Sequence, residues 1–181
     1  MIQNKADLKE YLRADAFVYG GGTPKLFGDE QWKYVIALRK REYYQNTGKN
    51  KLMSLFYRFR HRRLGIKLGF DIPCNVFGKG LKINHFGCIV VNPNARIGDW
   101  CDIHQGVNIG ENVDKGAPVI GENVWIGPGA KLFGNITVGN NVMVGANSVV
   151  NKSFEDNVNI AGVPAKVINN NGNVYAKKYN V

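Results

Sequence analysis

Aliphatic residues recur at every sixth position through the C-terminal two thirds of the chain. Steps of six from Ile97, with one longer step, meet an aliphatic side chain nine times: Ile97, Ile103, Ile109, Ile120, Ile126, Leu132, Val138, Val144 and Val150. A period of six fits neither the 3.6-residue helix nor the two-residue alternation of a long strand. It is typical of a parallel β-helix, in which each hexapeptide forms one short strand and one corner. The aliphatic side chains are therefore expected inside the prism.

The residues between the aliphatic positions indicate the corners. Glycine follows six of the nine, and asparagine is abundant in the same segments. Both residue types let a backbone turn with a positive φ. Because three hexapeptides make one coil, residues 71–168 predict about five coils. The regular step fails once, at 111–118, where ENVDKGAP predicts an excursion from the coil, and such loops on rigid scaffolds often carry function.

The first third of the chain predicts helices instead, at 6–20, 28–48 and 50–65. The last of these carries an apolar stripe, and its other face is basic; the stripe is Leu52, Leu55, Phe56 and Phe59, and the basic face is Arg58, Arg60, His61, Arg62 and Arg63. Three interpretations of the basic face stay open: a solvated surface, contact with anionic lipid headgroups or an acidic glycan, and nucleic-acid binding, which no recognition motif supports. His61 is not expected to be catalytic.

Composition divides the chain in the same way. Of the net charge of +10, residues 1–70 carry +9 (15 Lys and Arg against 6 Asp and Glu). We predict an α-helical region at 1–68, a β-helix domain at 69–168 and a C-terminal tail at 169–181. No apolar run is long enough to span a bilayer, and the charged N-terminus has no secretory signal pattern. Cys74, Cys88 and Cys101 are widely spaced, which favours reduced thiols in small core positions and a cytoplasmic location.

Four segments resemble a known family: DIPCNVFGKGLKINHFGCIVVNPNARIG (71–98), GAPVIGENVWIGPGAKLFGNITVG (116–139), VGANSVV (144–150) and AGVPAKVI (161–168). They are similar to the hexapeptide-repeat acyltransferases, above all to serine O-acetyltransferases and their relatives in surface-polysaccharide gene clusters. The resemblance covers roughly 65–168. It implies a left-handed parallel β-helix, acetyl-CoA as co-substrate without a metal, and a homotrimer whose active sites lie between subunits.

The resemblance also implies a catalytic pair. His85 in KINHFG matches the family's general base, and Asp71 in GFDIP matches the carboxylate that orients it. The chemistry is sound on its own terms, because an alcohol needs a base to take its proton as the oxygen attacks a thioester carbonyl. A carboxylate on the second ring nitrogen would fix the tautomer and stabilise the imidazolium.

Further site residues follow from the same resemblance. Asn84 precedes the base and is expected to meet the acceptor, as is His104, which otherwise is an exposed corner residue. Acetyl-CoA is expected along Pro128, Gly129 and Ala146, with its nucleotide end near Asn151, Lys152 and Lys166; the alternative is that the small residues only shape the coil.

Two departures from the family bear on the acceptor. Where serine acetyltransferases place an Arg-His pair that holds the amino acid, this chain has Gly116 and Ala117, and it has Asn84 where they tend to have Asp. We therefore expect a neutral hydroxyl acceptor, such as a sugar of a surface polysaccharide, with L-serine as the alternative. A non-catalytic β-helix binding module is an alternative of another class. A zinc hydro-lyase of the γ-carbonic anhydrase type is disfavoured, because the chain has only three histidines and no His-x4-His spacing.

Overall fold

The computed structural model describes residues 1–113 and 116–175, in which three helices precede a coil of short parallel strands. The helices are α1 (Lys5–Val18), α2 (Glu30–Thr47) and α3 (Lys51–Leu68). All three predicted helices exist, and α3 runs three residues beyond its predicted end to a left-handed glycine, Gly69 (φ 76°). No helix of the described ranges has the length and apolar character needed to cross a membrane.

Within residues 1–113 and 116–175, fourteen short strands form the three faces of a prism, and they are numbered in chain order. The first face contains β1 (Phe70–Asp71), β3 (Ile89–Val91), β6 (Asn108–Gly110), β9 (Lys131–Phe133) and β12 (Val149–Val150). The second face contains β4 (Arg96–Ile97), β7 (Val119–Ile120) and β10 (Thr137–Val138), extended by single bridges at Phe77 and Phe154. The third face contains β2 (Lys82–Ile83), β5 (Asp102–Ile103), β8 (Trp125–Ile126), β11 (Met143–Val144), β13 (Asn159–Gly162) and β14 (Ala165–Asn169). The chain visits the faces in a fixed order, and every neighbouring pair except β13 and β14 is parallel. This is the predicted mainly β architecture, a parallel β-helix after an α-helical N-terminal region.

The interior of the prism confirms the six-residue period. All nine aliphatic side chains of the repeat are buried, from Ile97 at 4% exposure to Val150 at 0%. They lie in register from coil to coil, as in the column of Ile83, Ile103 and Ile126 on the third face. Five coils stack in this way, as predicted.

The corners confirm the expectation for some asparagines and correct the one for the glycines of the repeat. Asn123, Asn141 and Asn147 have positive φ angles of 54°, 58° and 54°. The glycines that follow the aliphatic positions, such as Gly98, do not adopt positive φ. They are needed for another reason: a Cβ on Gly98 would lie 2.7 Å from the backbone of the next coil.

The break in the repeat leaves the coil at one corner. Ile109 in β6 and Ile120 in β7 occupy ordinary inward positions on the first and second faces, so the longer step between them is a loop. Residues 114–115 of that loop lie outside the described ranges, as do 176–181 of the predicted tail. Because α3 ends at Leu68 and β14 runs to Asn169, the element bounds fit the three predicted regions. That division of the chain stays a prediction.

The buried Arg39 side chain connects the helices to the first coil through hydrogen bonds and ion pairs. The Arg39 guanidinium is fully buried, and its Nε donates to Asp15 Oδ2 at 2.8 Å while Nη1 reaches Glu42 Oε2 at 3.2 Å. Nη1 also donates to the Phe77 carbonyl at 3.0 Å, and Asp15 accepts the Leu81 N–H at 2.9 Å. One charge cluster thus joins α1, α2 and the β-helix.

The third helix packs on the protein through the face opposite its apolar stripe. Its buried residues are His61, Gly65 and Leu68, whereas the apolar stripe that includes Leu55 and Phe59 is exposed. His61 was assigned to the basic face, and that assignment is wrong, because its ring packs 4.6 Å from Tyr34 in the helical core.

The cysteines agree only partly with the expectation of small core residues. Cys101 is buried and Cys74 half-buried, but Cys88 is exposed on the turn that follows His85. All three are free thiols, as expected.

We expect Asp15→Ala to lower the free energy of unfolding by about 3–5 kcal/mol, because it leaves the buried Arg39 charge without its main partner. The matched control is Glu10→Ala, which removes the exposed partner of Lys79 and should cost less than about 1 kcal/mol. Urea denaturation measures both values. Equal losses in the two variants would contradict the anchoring role of the Arg39 cluster.

Candidate active site

One corner of the prism gathers most of the residues predicted to act on acetyl-CoA. We call the corner between the third and first faces the site corner; it comprises residues 84–88, 104–107, 127–130 and 145–148. His85 stands in the first of these turns, His104 in the second, Pro128 and Gly129 in the third and Ala146 in the fourth. The six-residue repeat causes this alignment, since it returns equivalent positions to the same corner on each coil.

Backbone hydrogen bonds hold the turns of the site corner in a column. The Gly129 N–H donates to the Gln105 carbonyl at 2.9 Å, and the Asn147 N–H donates to the Pro128 carbonyl at 2.8 Å. Stacked strands lie about 4.8 Å apart, so the first and fourth turns are separated by about 14 Å. The site corner is therefore a straight track with His85 at one end.

Small residues keep this track open. Gly129 has a φ of 73°, and a Cβ there would overlap the Asn147 side chain, so glycine is required both for the turn and for space. Ala146 is exposed at the next turn. The Lys131 ammonium reaches the Gly106 carbonyl at the second turn, and the placement of acetyl-CoA along these backbones stays a prediction.

His85 is exposed at the head of the track. Its turn is fixed by a hydrogen bond from the Gly87 N–H to the Leu68 carbonyl at 2.9 Å, and Gly69 packs so closely on Gly87 that a Cβ would lie 3.2 Å from its carbonyl carbon. The neighbouring Phe86 side chain is 69% exposed. The imidazole is thus presented to solvent beside an apolar surface.

A charged cluster lies directly under His85. The His104 ring centroid is 6.4 Å from that of His85, and His104 Nδ1 lies 3.0 Å from the Ile126 carbonyl and 3.7 Å from Asp102 Oδ1. With its Nδ1–H directed to these oxygens, His104 presents Nε2 as the free ring nitrogen. Lys82 Nζ is 3.9 Å from Asp102 Oδ2.

Asp102 is the most buried charge of this cluster. Burial raises the pKa of its carboxyl, and Lys82, His104 and the Asn84 amide oppose the shift. The Asn84 side chain donates a short hydrogen bond to this carboxylate, so it points to Asp102 and helps to fix it. The two predicted acceptor residues, Asn84 and His104, therefore meet at Asp102.

Asp102 and Lys82 were not predicted from the sequence as candidate site residues. Each of them, like Trp125, directly precedes an inward-facing isoleucine on the third face. Aligning the hexapeptides would therefore have shown that the three residues are stacked on neighbouring coils. Tyr175 was also missed, and its ring lies 6.0 Å from Trp125, which is 4.7 Å from His104. No local signal predicts that the chain returns there after β14.

Asp71 lies near His85 but does not contact it. Across the described residues no hydrogen bond or ion pair joins the two side chains. Asp71 pairs with Val90 on the first face, and the segments that carry Asp71 and His85 touch at Gly69 and Gly87. The catalytic pair predicted from the sequence therefore stays a prediction.

The Asp71 side chain instead borders a cavity of about 620 Å³ beneath α3. Arg41, Arg58 and His61 line the same cavity. Arg41 Nη1 lies 2.8 Å from His61 Nδ1, so Nδ1 accepts this hydrogen bond and the ring proton is on Nε2. Burial, and secondarily the Arg41 charge, lowers the pKa of His61 to about 3.

The three residues predicted for the nucleotide end do not gather at one place in a single chain. Lys166 pairs with Ala161 in the last coil, next to the end of the track. Asn151 and Lys152 follow β12 and lie at the corner between the first and second faces, where the Lys152 ammonium stands 5.4 Å over the Phe154 ring. Their role as nucleotide contacts stays a prediction.

The position that holds arginine in the resembled family has no room for a side chain here. A Cβ on Gly116 would overlap the Cβ of Asn135 in the next coil. Ala117 packs against the core. The loop of 111–118 therefore returns to the coil through residues that cannot present charge to a ligand.

Comparison with known proteins identifies similar chains. A family model described as "Bacterial transferase hexapeptide (six repeats)" matches residues 117–152. A serine acetyltransferase of Staphylococcus xylosus is 35% identical over 82% of this chain and 67% of its own length. One of Buchnera aphidicola is 34% identical over 96% of this chain and 62% of its own length.

Solved structures give the same result. The serine acetyltransferase of Brucella abortus superposes with a TM-score of 0.77 at 29% identity, over 92% of this chain and 71% of that one. A serine acetyltransferase in complex with CoA has a TM-score of 0.72 at 25% identity, over 91% and 70%. The chain spans 40% and 62% of the length of two curated serine acetyltransferases, so similarity alone does not assign their activity to this chain.

The lowered pKa of His61 predicts that the folded protein loses stability as the pH falls. His61 stays neutral in the folded protein down to about pH 3, whereas an unfolded histidine takes up a proton below about pH 6.5, so protons favour unfolding between these values. As the pH falls from about 7 to about 5, protonation of His61 in the unfolded chain should lower the free energy of unfolding by about 2 kcal/mol. We expect His61→Gln to flatten this part of the stability profile in urea denaturation, while Arg63→Gln on the same helix keeps the wild-type slope. An unchanged slope in His61→Gln would disprove this assignment.

Proposed function

Because the chain belongs to the serine acetyltransferase family of left-handed β-helix acyltransferases, we propose that it transfers an acetyl group from acetyl-CoA to a hydroxyl group. The observation that carries this proposal is the position of His85 at the head of the open track of the site corner. The exposed imidazole and the track of small residues provide a base and a channel for an extended thioester on one surface. A solved relative in complex with CoA supports the choice of acyl donor.

His85 acts as the general base in the proposed reaction. It takes the hydroxyl proton as the acceptor oxygen attacks the thioester carbonyl. The tetrahedral intermediate then collapses, the carbon–sulfur bond breaks, and the imidazolium returns its proton to the CoA sulfur. The role proposed for Asp71 is to orient the base and stabilise the imidazolium, through approach of the two segments that already touch at Gly69 and Gly87.

The track proposed for acetyl-CoA runs from His85 past His104 to Gly129 and Ala146. Its length of about 14 Å suits an extended pantetheine arm. Lys166 beside the last coil, together with Asn151 and Lys152, is proposed to meet the nucleotide end; Lys152 lies on another corner, so that contact needs a neighbouring subunit.

L-Serine is the acceptor that the relatives favour, and the sugar hydroxyl predicted from the sequence has no support among them. The cluster under His85 offers charges of both signs for an amino acid. In this proposal the Asp102 carboxylate and the His104 Nε2 lone pair meet the ammonium group, and Lys82, whose Nζ lies 3.9 Å from Asp102, meets the carboxylate. In this proposal these three residues replace the Arg-His pair that Gly116 and Ala117 lack.

One observation keeps a neutral acceptor, such as a sugar, as a second candidate. The backbone at Gly116 packs on Asn135 without room for a side chain, so this position cannot supply the charge that holds a carboxylate in the resembled enzymes. If the cluster at Asp102 binds only hydroxyl groups, the acceptor carries no carboxylate.

We also propose a homotrimer with active sites between neighbouring subunits, in the cytoplasm. The trimer follows from the resemblance. It is supported by the exposure of Phe86 beside His85, an apolar side chain that a neighbouring subunit would cover.

The test is release of CoA thiol from acetyl-CoA with L-serine, UDP-glucose and further nucleotide sugars. We expect His85→Ala to lower the rate by about 10²–10⁴-fold, because the hydroxyl then lacks its base. Cys88→Ser, an exposed change on the same turn, should keep the wild-type rate, and circular dichroism should show equal folding.

The acceptor that supports release decides between the two candidates, serine and a sugar. Release that persists in His85→Ala would disprove the role of the base. Absence of release with every acceptor, despite acetyl-CoA binding, would support the non-catalytic binding module instead.

A further inference from the structure

The outward face of α3 is an apolar stripe that no residue of 1–113 or 116–175 covers. It consists of five side chains with exposures from 49% to 80%: Leu52, Leu55, Phe56, Phe59 and Ile66. The helix packs on the protein through the opposite side, where His61, Gly65 and Leu68 are buried. An exposed apolar patch of this kind indicates a contact surface, because large apolar patches are rare on protein surfaces that bind nothing.

The stripe is straight and directed away from the protein. With about 100° between successive residues, its five members fall within an arc of about 100°, centred opposite the buried side. The stripe continues for about four turns, so it presents a long flat surface rather than a pocket. Such a surface fits the plane of a bilayer interface.

Basic side chains border the stripe on both sides. The helix carries six Lys and Arg residues and no acid, and all six are exposed: Lys51, Arg58, Arg60, Arg62, Arg63 and Lys67. By helical position Arg60 and Lys67 lie along one edge, Lys51, Arg58 and Arg62 along the other, and Arg63 within the stripe. This arrangement places cationic groups at headgroup level when the apolar stripe enters the acyl boundary.

A second apolar element lies near one end of the helix. Leu26 and Phe27, in the loop before α2, are 83% and 87% exposed. The Leu26 carbonyl accepts a hydrogen bond from Lys33 at 2.8 Å, and Lys33 lines a groove with Phe56 and Phe59. The loop therefore lies beside the stripe and extends the apolar surface.

We propose that α3 is an interfacial anchor that binds the protein to membranes with anionic lipid headgroups. Charge decides between a bilayer and a second copy of the chain. Two α3 helices packed face to face would bring twelve basic groups together, and in each copy Glu30, 3.7 Å from Lys67, offsets only one of six, whereas anionic headgroups neutralise them. This proposal does not depend on the acetyl-transfer activity.

The test is cosedimentation of the full chain with vesicles made of equal parts phosphatidylglycerol and phosphatidylcholine, and with vesicles of phosphatidylcholine alone. The wild type should bind the anionic vesicles at low salt and lose affinity as salt rises. The double variant Leu55→Gln/Phe59→Gln should reduce binding by about ten-fold or more, and Arg60→Gln/Arg63→Gln by about twenty-fold.

The matched control is Ile168→Gln in β14, which removes an apolar side chain of 63% exposure far from α3 and should bind like the wild type. Circular dichroism and Tm establish that the variants fold. Equal binding to neutral and anionic vesicles, or α3 variants that bind like the wild type, would overturn the proposal. It would also fail if Leu55→Gln/Phe59→Gln lowered the oligomer mass in sedimentation velocity and left vesicle binding unchanged, since the stripe would then join copies of the chain.

Discussion

The stacking of one coil on the next, at the spacing of hydrogen-bonded strands, limits which residues each corner of the prism can hold. Successive strands of each face lie about 4.8 Å apart, so each corner must fit against the corner above without protruding side chains. This is why a Cβ on Gly98 would meet the next coil at 2.7 Å, and why Ile103 and Ile126 occupy one register. The hydrophobic column and the close corners are two consequences of the same spacing.

The candidate site uses this constraint rather than departing from it. Because equivalent positions return to the same corner, His85, His104, Pro128 and Ala146 stand on four successive turns of one track. The helical region adds what a regular coil lacks. It fixes the turn of His85 through the Leu68 carbonyl and holds the first coil through the buried Arg39.

The repeat made the β-helix predictable, because a period of six appears directly in the positions of aliphatic residues such as Ile97 and Val144. The role of the glycines that follow the aliphatic positions could not be predicted in the same way. They are needed because the coils approach each other closely, and that distance does not appear as a pattern in the sequence. The orientation of α3 could not be predicted, because amphipathicity reveals two faces but not which of them meets the protein, and the buried side is formed by His61 and Gly65. Tyr175 was missed because it reaches Trp125 through a return of the chain that depends on tertiary structure.

The proposed reaction requires His85 to stand at the head of a track that receives acetyl-CoA. The decisive experiment is a crystal structure of the full chain with CoA. We expect the CoA sulfur beside the His85 imidazole and the pantetheine arm along Gly129 and Ala146 of the site corner. CoA bound along a different corner, with its sulfur remote from His85, would disprove this placement.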